Sequence, residues 1–142
     1  MRIFNYCKIF LPVVVLLPWL AACVAMSPAP TAVSDNAAVL ALVEQAHAEA
    51  ADHRLQSAIG TLERALRIEP RNPFLWQDLA RQHLAQGDYD QAESLAARSN
   101  SWAGANHPLR AANWYLIRDA RLARGDAAGA QQAEDRARQL ER

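Results

Sequence analysis

The sequence predicts an all-α solenoid of about three helix-turn-helix units beginning near residue 38, and three observations lead to it. From residue 39 onward the chain repeats itself. The stretch Leu84 to Ala92 (LAQGDYDQA) aligns with Leu122 to Ala130 (LARGDAAGA) at an offset of 38 residues, which also carries Trp76 to Trp114 and Leu79 to Ile117. An offset of 34 in the other direction places Ala92 on Ala58, Ala85 on Ala51 and Tyr89 on Leu55. Periods of this size mark stacked supersecondary units. Helix punctuation falls in the same register. Asn72-Pro73 joins an N-cap to a proline at the first helical position, where the missing N–H is harmless. Gly87-Asp88 and Gly125-Asp126 each supply a glycine able to close one helix in left-handed geometry and an aspartate able to cap the next.

Residues 1–22 carry the three parts of an export signal: basic Arg2 and Lys8, an apolar run from Ile9 to Leu20, and the small-residue exit Leu20-Ala21-Ala22. The run is about 12 residues, short of the ~20 a membrane-spanning helix needs, and Pro12 and Pro18 interrupt it. A cleaved segment is therefore expected. Leu20-Ala21-Ala22-Cys23 resembles a bacterial lipobox, which implies that the Cys23 sulfur is lipidated and that Cys23 becomes the new N-terminus. Each buried methylene contributes ~0.8 kcal/mol, so several acyl chains anchor a protein durably. Val24 stands where an aspartate would imply retention at the inner membrane, so the resemblance points to the outer membrane, with the domain facing the periplasm. Cys7 leaves with the signal and reads as a hydrophobic filler.

Residues 23–37 form the lipidated N-terminus and a linker, rich in Pro, Ser, Thr and Ala without apolar periodicity. As a coil such a stretch reaches about 20 Å, and fully extended no more than ~50 Å. The module, residues 38–142, is thus expected to work close to its membrane.

Each unit has its own signature. Unit one, 39–72, carries Leu42, Ala46, Ala58, Leu62, Ala65 and the closing Pro70, with His53 where a turn glycine belongs. Unit two, 73–106, carries Trp76, Leu79, Ala80, Gly87, Tyr89, Ala92 and Ala96. Unit three, about 111–142, carries Trp114, Ile117, Gly125, Ala130 and Ala137, but Arg118 takes the small position. About four extra residues fall between units two and three, within Ser99 to Pro108, with Trp102 stranded among small polar residues. Alanines at Ala58, Ala92 and Ala130 let paired helices approach closely, and Trp76 and Trp114 are expected to fill the space between units. One helix pair cannot bury its own apolar face, so the stack should be cooperative across neighbours.

These residues resemble the tetratricopeptide repeat, and the resemblance covers everything after the linker. It implies a concave binding face made by the first helix of each unit, at its second, fifth, ninth and twelfth positions. Those are Leu40, Val43, His47 and Ala50; Phe74, Gln77, Arg81 and Leu84; and Ala112, Tyr115, Asp119 and Leu122. Phe74, Gln77, Arg81, Tyr115 and Asp119 make a candidate peptide-binding stripe of apolar anchors beside opposite charges. Phe74 and Leu84 could equally be core between repeats. Trp102 is either a loop contact closing the last groove or a plug against unit three.

Composition narrows the function. The 15 basic and 15 acidic residues balance, and without Arg2 and Lys8 the remainder is about −2, so no basic stripe for nucleic acid is present. Lys8 is the lone lysine, so the body's cations are all arginine. Cys7 and Cys23 both lie outside the repeats, leaving no disulfide framework. His47, His53, His83 and His107 form no i,i+4 pair and have no thiolate nearby, so no metal or other cofactor is expected. Asp88 and Asp126 recur with the repeat and read as caps. No nucleophile motif or phosphate loop appears, so neither enzyme chemistry nor a small-molecule substrate is expected. The plan of lipobox, short linker and one small repeat domain resembles the small outer-membrane lipoproteins that activate bifunctional penicillin-binding proteins. That implies a protein partner, a peptidoglycan synthase. The alternatives are a pilotin or assembly factor for type IV pilus secretins, or an adaptor for a periplasmic protease.

Overall fold

The computed structural model describes residues 33–142. The expected signal segment 1–22, Cys23 and most of the tether lie outside the described residues. Six helices follow in order: α1 (Ala37–Ala51), α2 (Leu55–Ile68), α3 (Pro73–Gln86), α4 (Tyr89–Trp102), α5 (His107–Ala123) and α6 (Ala127–Leu140). Each helix packs on the next, and α3 also lies directly against α5. Among the described residues all regular structure is helical, in the repeating pairs the sequence implied.

The same device starts every unit. The first helices α1, α3 and α5 are each capped by an asparagine side chain: Asn36 accepts from the Ala38 N–H, Asn72 from Phe74 and Asn106 from Leu109. Pro73 and Pro108 occupy the first turn of α3 and α5, where a proline satisfies the φ requirement and forfeits no hydrogen bond. The turns that end the first helices are also alike. Gly87 and Gly125 adopt φ of 90° and 81°, and His53 adopts φ of 59° at the matching place in unit one. A side chain in that region costs roughly 1–2 kcal/mol, so unit one makes the shared turn at a penalty its neighbours avoid. The aspartates differ from expectation at one of their two positions. Asp126 does cap α6 by accepting from Gly129 N–H, whereas Asp88 makes no capping bond and instead lies 3.2 Å from His83 Nδ1.

Small residues let the pairs close up. Ala46 and Ala58, and Ala80 and Ala92, are fully buried, and Ala130 is 2% exposed. The space around them is filled by Leu62, Leu75 and Ile117, the largest fully buried apolar side chains together with Val39. Where unit three has Arg118 in place of an alanine, the side chain leans out of the contact. Its guanidinium lies 4.8 Å from the Tyr115 ring centroid and pairs with Asp119 at 2.7 Å. Trp76 and Trp114 are half-buried against the core. Each lies under an arginine from the second helix of its own unit, Arg98 at 4.8 Å and Arg136 at 5.6 Å. Trp76 also bridges units, its indole N–H donating to the Pro70 carbonyl at 2.9 Å.

Three boundaries are corrected. The stretch expected to be linker up to residue 37 joins the domain from Val33: Ser34 is buried and hydrogen-bonded to Glu69, and the Val33 carbonyl accepts from Asn72 Nδ2 at 2.7 Å. Unit three starts at His107 and not near 111, because the added residues lengthen α5 to 17 residues. Trp102 is not a loop residue. It is the last residue of α4, with Arg71 over its ring at 5.3 Å.

Candidate functional site

A chain of hydrogen bonds runs across the first helices of all three units. His47 Nε2 on α1 lies 3.1 Å from Asp78 Oδ2 on α3. A carboxylate only accepts, so the imidazole N–H donates. Arg81 holds the other Asp78 oxygen at 3.0 Å and donates to Gln77 Oε1 at 3.0 Å. Gln77 Nε2 donates to Asn113 Oδ1 on α5 at 2.9 Å. Asn113 Nδ2 donates in turn to Ser99 Oγ at 2.7 Å and to Asn100 Oδ1 at 3.0 Å on α4, and Ser99 Oγ donates to the Pro73 carbonyl at 2.7 Å. The chain starts in solvent at His47 and Arg81 and ends in the core, where Asn113 and Ser99 are both 0% exposed. Apart from Asn100 Nδ2, which has no partner among the described residues, the buried polar groups of this chain are satisfied, and they fix one arrangement because any other leaves several unpaired.

The expected site residues fall into separate places. Gln77 and Arg81 belong together in the polar chain, but Gln77 is only 5% exposed and serves the interior, which corrects its reading as an open groove residue. Val43, mapped to the same face, is also buried. Arg81 stays half in solvent, held in one pose by Asp78 and Gln77. Tyr115 and Asp119 form a second group on α5, joined through Arg118. The Tyr115 hydroxyl donates to Glu141 at 3.0 Å, and that bond pushes its pKa up, with burial adding to it. Tyr115 and Glu141 line a hollow of about 520 Å³ with His107, Pro108, Ala111, Ala112 and Leu140. Phe74 sits apart from both groups, half-buried in a hollow of about 420 Å³ with Val33, Glu69 and Pro70. Trp102 is on the end of α4, away from the stripe.

Two features of this face escaped the sequence reading. One is the buried polar pair. In the repeat register Asn113 falls on Leu75, and Ser99 falls on Ala65 and Ala137, so two polar residues replace apolar ones at core positions. The other is an ionic clamp beneath it. Arg121 donates to Glu93 at 2.6 Å and to the Gly129 carbonyl at 3.0 Å, while Arg124 reaches Asp90 and Glu93. Glu93 raises the Arg121 pKa through that bond, which opposes the effect of burial. In unit one the corresponding side chain is Glu49, which accepts from Gln45 at 2.9 Å and Thr61 at 2.8 Å. Those two bonds hold its pKa below the ordinary carboxylate value. Among the described residues no cluster of His, Cys, Asp and Glu is arranged to hold a metal ion. The surface offers shaped, pre-set side chains for contact.

Residues 49–112 match the family model of the tetratricopeptide repeat. The chain is similar to a solved structure, the globular C-terminal domain of P. aeruginosa LpoP. The two are 42% identical with a TM-score of 0.72, over 74% of this chain and 99% of that one. No curated protein matches the chain.

Proposed function

The chain belongs to the tetratricopeptide-repeat family of the LpoP globular domain, and from that premise we propose that it is a non-catalytic lipoprotein of the bacterial envelope. Cys23 anchors it to the outer membrane, and the face of α1, α3 and α5 binds a protein partner in the periplasm. The partner is a bifunctional peptidoglycan synthase of the penicillin-binding type, which the bound module activates by favouring its active conformation. Fold alone does not specify function. One observation carries the reading: the hydrogen-bonded chain from His47 to Asn113 holds three separate helices in one arrangement, so that Arg81 meets a partner already fixed in place. A receptor surface gains from such preorganisation because little freedom is lost on binding.

The proposal is tested by adding the purified chain, from Cys23 onward, to its cognate synthase and following glycan polymerisation. The rate should rise and reach a plateau as the chain saturates the synthase. An unchanged rate at saturation would mean the synthase is not the partner.

A further inference from the structure

The end of the stack where the second helices finish carries the exposed apolar side chains Ile68, 46% exposed, and Trp102, 41% exposed. They are the last residues of α2 and α4 and occupy the same repeat position. Arg71, three residues beyond Ile68, stacks on the Trp102 ring at 5.3 Å, and Pro70 between them is exposed. Of the carboxylates at this end, Glu69 is taken up by Ser34 and Asn72 while Asp35 is exposed, and Arg67 and Arg71 face outward. The same end is where the described chain begins. Val33 is held by Asn72 and shares its hollow with Glu69, Pro70 and Arg71. Val33 lies ten residues after Cys23, a length that spans at most about 35 Å.

We propose that this end, through Ile68, Arg71 and Trp102, rests on the lipid surface to which Cys23 is anchored. The inference rests on the lipid anchor at Cys23 proposed above. Tryptophan and arginine together suit a bilayer interface, where the ring sits at headgroup depth and the guanidinium meets phosphate. An outward arginine pair with its neighbouring carboxylate engaged favours anionic headgroups. The short connection keeps this end within about 35 Å of the membrane. Arg81 lies eight residues along α3 from its first residue, roughly 12 Å, so contact at this end leaves the partner-binding face open. The module would then stand at a set angle to the membrane, its receptor surface directed sideways into the periplasm.

Two arms separate the contact from the anchor. In the first, full-length protein and its Cys23→Ala variant are expressed and floated with membranes; loss of flotation in the variant reports the anchor alone. In the second, the chain from Cys23 is coupled through that thiol to a maleimide-headgroup lipid. The vesicles contain phosphatidylethanolamine and phosphatidylglycerol with bromine-substituted acyl chains, so tethering is assured whatever the first arm shows. Tryptophan emission should be quenched relative to vesicles without bromine. Trp102→Phe should lose most of that quenching, Trp76→Phe should keep it, and Arg71→Glu should reduce it. Circular dichroism of each variant confirms the fold. Equal emission in the two kinds of vesicle would overturn the proposal, as would quenching that survives Trp102→Phe. A Trp102→Phe variant that shows no change against lipid but no longer retains the synthase would assign this end to the protein partner and also overturn it.

Discussion

The two junctions of the stack are built differently. Units one and two share a continuous apolar cluster running through Val39, Val43, Ile59, Leu62, Leu66, Leu75 and Leu79, to which unit three adds only Ile117 and Ala133 among the buried residues. Between α1 and α3 the polar contact is a single bond from a solvent-facing histidine. Units two and three meet through groups that must be paired: Gln77, Asn113 and Ser99 in the interior, and Arg121 and Arg124 with Glu93 and Asp90 at the edge. Apolar contact supplies free energy without direction, while buried polar contact contributes less net stability and penalises every misfit. The first junction therefore holds the module together, and the second sets the angle at which α5 is presented beside α3.

That contrast can be broken at its strongest point first. Leu62→Ala, at a fully buried position of the apolar cluster, should lower unfolding free energy by about 3–5 kcal/mol, with no dependence on salt in chemical denaturation. Asn113→Leu copies unit two, yet leaves Gln77 Nε2 and Asn100 Oδ1 without their partner, while Ser99 keeps its bond to the Pro73 carbonyl. It should cost about 2–3 kcal/mol. Hydrogen exchange should report faster opening of α5 and α6, with α1 and α2 unaffected; uniform loss of protection would mean the junctions are not distinct.

Smaller changes sharpen the same comparison. Arg121→Ala should cost about 1–2 kcal/mol, and unlike the apolar variant its effect should shrink in high salt, as denaturant melts at two ionic strengths would read. His53→Gly should stabilise the protein by up to about 1 kcal/mol, because glycine adopts the left-handed turn without penalty. A lower melting temperature there would show that the histidine makes a compensating contact. Glu49 gives the pH dependence its sign. Its folded pKa is held below 4.5 by Gln45 and Thr61, so its contribution is full above that value and is lost as pH falls through the folded pKa. Thr61→Val should flatten the acid limb of a stability-versus-pH curve.

The sequence made the framework readable because repetition multiplies a weak signal. Gly87 and Gly125, Ala58, Ala92 and Ala130, and Trp76 and Trp114 each agree with a partner one unit away, and all take equivalent roles in the fold. Exposure within that framework was harder to read. A position on the concave side of one helix is open only if the next helix stays clear of it, and α5 packs directly on α3, which buries Gln77. Trp102 was misplaced for a related reason: polar neighbours signalled a loop, but α4 continues through them because Ser99 and Asn100 bond to Asn113. The asparagine caps at Asn36, Asn72 and Asn106 were written in the chain throughout. Their unequal spacing, 36 and then 34 residues, hid the recurrence.

The receptor role of the first-helix face is tested most directly by one binding measurement on the double variant Arg81→Ala/Tyr115→Ala. Partner affinity should fall at least about tenfold, while helical content stays close to that of the unaltered chain. Unaltered affinity in a fully folded double variant would contradict the assignment of this face.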